Sequence, residues 1–154
     1  MRPISPVVAI LLLLLLSPNQ ADAQGVIIRG ATPAEVVAVL NADLQPQGFA
    51  LVKADDKTAL FTLDRGMVAQ QGGRGAVHVI LELRFRFKAK SEGLQVTASE
   101  EVVGGAGTTL EYRKPVESRV ERQNLQRLLD KAREGLEARP ASGDSAASRD
   151  SSPS

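Results

Sequence analysis

Cysteine is absent from the 154 residues. That excludes disulfides and thiolate metal sites, and it excludes a lipid-anchored form, which needs a cysteine directly after signal cleavage. Histidine occurs once, as His78, so no zinc site built on several imidazoles and no histidine pair is available. Neither sign of charge dominates: 19 Lys and Arg stand against 18 Asp and Glu, for a formal net charge of +1. A dedicated nucleic-acid binder usually carries a strong basic excess, so nucleic acid is not expected as a partner. The GK[ST] ending of a phosphate-cradling loop is missing, as is the G-x-S-x-G turn of a serine hydrolase.

One apolar run is long, VVAILLLLLL at 7–16. It follows a short start with one Arg and precedes Ala21-Asp22-Ala23, a small-x-small pattern. This is the order of a secretory signal peptide, expected over 1–23 with cleavage after Ala23. The run is too short for a spanning helix, which needs about 20 apolar residues, so no stable membrane insertion is expected once the signal is removed. A periplasmic or secreted location follows. At the other end, ARPASGDSAASRDSSPS (138–154) has no large apolar side chain. It cannot bury enough surface to offset its ordering entropy and is predicted to be a disordered tail. One domain is left, residues 24–137.

VIIRG (26–30) reads as a short strand. Next, Thr32, Pro33 and Glu35 form a capping box with proline at the first helical position, and Val36, Leu40 and Leu44 give one apolar face. Pro46 and Gly48 stop that helix. FALVKADDKTALFTLDRG (49–66) reads as two strands around a turn at Asp55, Asp56 and Lys57. Leu51 then faces Phe61, and Phe49 faces Leu63. Two adjacent carboxylates do not make a calcium loop, which needs six or more oxygens at set spacing. MVAQQGGRGA (67–76) reads as a glycine-rich connector.

VHVILELRFRFKAK (77–90) alternates most regularly. Its odd positions are apolar; its even ones are mostly charged, ending in Arg84, Arg86, Lys88 and Lys90. LQVTASEEVV (94–103) carries its apolar residues at even positions. A hairpin must bring both apolar rows to one face, so the loop must be Lys90 to Gly93. Ala89 then meets Leu94, Phe87 meets Val96 and Phe85 meets Ala98. Glu100 is a misfit in the apolar row, near Leu83, and predicts a bulge or departure from the core. LEYRK (110–114) adds a short extended piece. VESRVERQNLQRLLDKAREGLE (116–137) is an amphipathic helix with Pro115 expected at its first position.

The predicted class is α+β, in the order β-α-β-β-β-β-α. A strand of fourteen residues spans roughly 45 Å at about 3.3 Å each, which predicts a curved antiparallel sheet packed on the long C-terminal helix. On this element order and polarity, over about residues 26–137, the chain resembles the TATA-binding-protein-like or helix-grip superfold. The run RQNLQRLL (122–129) is similar to the end of many small uncharacterised bacterial envelope proteins. The resemblance implies an apolar-ligand cavity between sheet and C-terminal helix; Phe49, Phe61, Phe85, Phe87 and leucines are on offer as walls, but bulky residues more often fill such a space than line a hole. A superfold carries many functions, so no activity transfers with it.

For chemistry the chain offers little. His78 is expected at a strand start, facing solvent. Glu82 and Glu101 come opposite each other in the inferred hairpin, on the water side, where nothing raises a carboxyl pKa. No catalytic residue, metal ligand or cofactor is assigned, and the chain is not expected to be an enzyme. The basic row Arg84, Arg86, Lys88 and Lys90 is the candidate binding site, suited to anionic lipid, lipopolysaccharide phosphate or an acidic envelope protein. It has no interleaved aromatics for stacking on bases. The expected function is a non-catalytic binding or interaction module. The alternative is a carrier of a small apolar ligand in a cavity under the last helix.

Overall fold

The computed structural model describes residues 24–69 and 75–139. The expected signal peptide, and the expected tail from residue 140 onward, lie outside the described residues. In chain order the elements are β1 (Gln24–Ile28), α1 (Pro33–Leu44), β2 (Ala50–Ala54), β3 (Thr58–Ala69), β4 (Ala76–Lys90), β5 (Gly93–Gly104), β6 (Tyr112–Pro115) and α2 (Arg119–Glu137). The protein is α+β, with six antiparallel strands in one open sheet.

Strands β2 to β5 form a meander, each paired with the next. On the free side of β5, two short strands share one edge. β1 pairs with residues 94–98 and β6 with residues 101–104. Alternation dictates the central hairpin: Ala89 pairs with Leu94, Phe87 with Val96 and Phe85 with Ala98, as expected from polarity alone. The β2–β3 turn also forms as read. The Asp55 carboxylate accepts from the Lys57 and Thr58 N–H groups, both at 2.8 Å, and Leu51 pairs with Phe61. Leu51 remains 38% exposed on β2, an edge strand of the sheet.

Both helices lie on one face of the sheet and share its core. Phe61, Phe85, Val96 and Ile28 from the strands meet Val36 and Leu40 of α1 and Leu129 of α2, all fully buried. The Phe61 and Phe85 rings pack edge to face, 5.7 Å between centroids. α1 begins with the expected capping box: Glu35 N–H donates to Thr32 Oγ1 at 3.3 Å, and Thr32 N–H donates to Glu35 Oε2 at 2.9 Å. A single 3₁₀ turn at Gln45–Gln47 follows, closed by Gly48 at φ 90°.

Four expectations need correction. Pro115 ends β6 rather than opening α2. The Val116 N–H donates to Glu100 O at 3.0 Å, which holds the chain extended along β5 until Ser118 caps the helix. Val120 consequently lies before the packed part of the stripe and is 63% exposed. Met67, Val68 and Ala69 are strand, not connector, because their ladder with Ala76, Val77 and His78 continues. Glu100 neither bulges nor leaves the sheet: β5 keeps its register against β4 throughout, with Glu100 opposite Leu83. The bulges fall instead at Val52 in β2 and Arg65 in β3.

Candidate functional site

The helix layer is narrower than the sheet. α2 packs on β1, α1 and β5, so the half of β3 and β4 beyond Phe61 and Leu83 lacks a full cover. Leu63, Val79, Leu81 and Val102 face the helix side there and stay half-buried. Between this strip and α2 runs a cleft of about 600 Å³. The strip is its floor. Leu125 and Leu128 of α2 form one wall, and Leu44, Gln47 and Phe49 form the other. Of the four phenylalanines on offer as cavity walls, only Phe49 lines the cleft; Phe61 and Phe85 fill the interior, as bulky residues more often do, and Phe87 is buried at 7% exposure without reaching the cleft.

Three charged side chains face the cleft: Arg65 from β3, Glu100 from β5 and Glu121 from α2. Arg65 follows Phe61 and Leu63 onto the cleft side by alternation, and the bulge of β3 falls on it. It is the extra residue between the Asp64–Ile80 and Gly66–Val79 pairs. The bulge is braced by Asp64, whose Oδ1 accepts from Gly66 N–H at 2.7 Å and from His78 Nε2 at 2.7 Å. The Gly66 N–H, with His78 beside it, holds the Asp64 carboxyl below its ordinary range. Gly66 itself takes φ 69°, which favours glycine. Burial pushes the Glu100 carboxyl up, the Glu121 charge pushes it further, and Arg65 opposes both. Among the described residues no ion pair within 4 Å involves Arg65, Glu100 or Glu121.

On the opposite face the basic row lies where alternation puts it. Arg86, Lys88 and Lys90 are exposed, beside Thr97, Gln95 and Gly93 of β5. Lys57 joins them from the β2–β3 turn, because Phe87 N–H donates to Lys57 O at 2.8 Å and draws that turn against β4. Nothing in the sequence pattern links Lys57 to this row. Arg84 is not free: its Nη2 lies 3.7 Å from Glu82.

Glu82 and Glu101 do stand opposite each other. Their expected place on the open water side needs correction, since Arg113 of β6 bridges them. Its Nη1 is 2.8 Å from Glu82 and 3.7 Å from Glu101, and its Nη2 is 3.3 Å from Glu111. The Glu82 side chain is only 12% exposed, and its contact raises the Arg113 pKa above the usual arginine value. The pair is an anchor for β6. No group of three or more His, Asp or Glu among the described residues is arranged to hold a metal ion, and no described helix is long and apolar enough to cross a membrane.

Fold and site together define an α+β protein with an open antiparallel sheet, helices on one face and a charged, apolar-floored cleft beneath them. No protein-family model matches the chain, and no curated protein matches it in sequence.

Proposed function

We propose that the chain is a non-catalytic binding module, periplasmic or secreted, and that the helix-side cleft holds a small amphipathic ligand. The observation that carries this reading is the uncovered apolar floor at Leu63, Val79, Leu81 and Val102, in a cleft whose charged groups form no ion pair within 4 Å among the described residues. Its volume of about 600 Å³ falls within the range of roughly 300–1,000 Å³ common to small-molecule sites. The carrier reading is thereby favoured, with two changes. The ligand space is an open cleft at one end of the sheet, not a chamber in the core, and its lining is mixed rather than purely apolar. The single histidine supports a non-catalytic role, since it braces a bulge on the opposite face from the cleft. Export rests on the signal pattern of residues 1–23, and kinship with the helix-grip superfold rests on element order.

The test uses N-phenyl-1-naphthylamine, an uncharged probe that fluoresces in apolar surroundings. It should brighten with the purified protein. The signal should be lost in Leu81→Arg and in Leu128→Arg, with circular dichroism retained. A probe that stays dark with the native protein would overturn the reading.

A second reading has its own observation. Among the described residues Arg86, Lys88 and Lys90 have no acidic partner within 4 Å, so the outer face offers uncompensated positive charge to an anionic lipid, lipopolysaccharide or acidic envelope protein. Co-sedimentation with anionic vesicles should then fall with added salt and fall again in Arg86→Glu with Lys88→Glu. Binding indifferent to salt would exclude it.

A further inference from the structure

We infer that the ligand of this cleft carries a positively charged nitrogen on an apolar body, and that Glu100 and Glu121 receive the nitrogen. The inference rests on the cleft being the binding site, and it names the class of molecule that fits there.

Charge balance comes first. The charged groups that face the cleft are one guanidinium, Arg65, and two carboxylates, Glu100 and Glu121, which leaves the site one unit negative when all are ionised. β4 contributes only Val79, Leu81 and Leu83, and the 3₁₀ turn after α1 contributes the uncharged Gln47. None of the three charges is satisfied by another within 4 Å among the described residues.

The position of Glu100 is the second argument. Its neighbours in the same row of β5, Ala98 and Val102, are apolar, and Leu83 stands across from it. A one-residue slip would send the side chain to water, yet the register is unbroken. The fold therefore holds a carboxylate against an apolar strip, with a second carboxylate on the facing helix. Burial and that second charge both disfavour the ionised form. A cation seated between Glu100 and Glu121 removes the repulsion and restores what desolvation took away. An apolar body attached to it covers Leu63, Leu81 and Leu128. The cleft volume suits a small molecule, not a segment of a macromolecule.

Isothermal titration of the purified protein with octylammonium, 1-octanol and octyl sulfate, all below micellar concentrations, tests this. The three probes share one chain and differ in head charge. Octylammonium should bind at least tenfold more tightly than the other two. Glu100→Gln with Glu121→Gln should erase that preference and leave octanol binding unchanged, while Arg65→Gln should tighten octylammonium severalfold. Lowering the pH from 7 to 4 should weaken octylammonium alone, as Glu100, whose carboxyl burial pushes up, takes up its proton. If all three probes bind equally, or if the double variant keeps the preference, the charge inference is overturned and the cleft stands. If none binds, both fall.

Discussion

Glu100 is the residue at which the alternation of β5 breaks, and it makes a sharp prediction. A carboxyl whose pKa is raised in the folded state, above an ordinary value of 4.5, binds its proton more tightly folded than unfolded. The cost of ionising it is absent well below pH 4.5 and present once the pH passes the folded value. Glu100→Gln should therefore raise the melting temperature at pH 7, and the gain should shrink toward zero below pH 4; an equal gain at both would show that charge is not the cause. Asp55 has the opposite sign. The Lys57 and Thr58 N–H groups hold its pKa at about 2 instead of 3.8. Its contribution is present above pH 3.8 and is lost as the pH falls through about 2. Asp55→Ala should lower the melting temperature at pH 7 and leave it unchanged once both states are protonated. The Asp55 turn was legible in the sequence because the bonds that Asp55 accepts are all local. Glu100 was legible only as a misfit. Arg65 and Glu121, which give it meaning, come from other elements.

At the scale of elements, α2 contains a removable weakness. Gly135 is helical, and a Cβ built there meets nothing within 4 Å. Gly135→Ala should stabilise the protein by about 1 kcal/mol, the difference in helix propensity, measured as a shift in denaturant midpoint at constant slope. A loss of stability would mean that α2 is less regular there than described. Periodicity and capping signals located α1 to the residue. They misplaced the start of α2 because proline at a first helical position and proline closing an edge strand look alike in sequence; the Val116 N–H bond to β5 decides between them. The Arg65 bulge was missed for a related reason. Its local signal, an Asp two residues before a Gly, reads equally well as the end of a strand.

For the whole molecule, polarity determined which face of the sheet the helices cover, and it did so with the correct pairing of the β4–β5 hairpin. Arg84→Glu with Arg86→Glu should accordingly leave the fold intact, with a change of no more than about 1 kcal/mol, since both lie on the uncovered face and Arg84 makes only an outlying contact. Unfolding of that double variant would mean the row is structural. What polarity did not determine was coverage. Whether a helix shields the whole of a sheet depends on its angle and on its rivals for the same surface, and α1 and α2 compete on one side. The cleft is the remainder of that competition, so no stretch of sequence announces it.

β6 and α2 join the rest of the chain through one loop, residues 105–111, exposed from Gly107 onward, while their hold on it is long-range: a shared edge of β5, the Arg113 anchor and the buried side chains of Leu125, Leu129, Ala132 and Leu136. That arrangement makes the protein divisible. Two polypeptides split between Gly107 and Thr108 should find each other when co-expressed and travel as one species on gel filtration, and the cleft, whose strand floor and α2 wall come from different pieces, should form only when they reassemble.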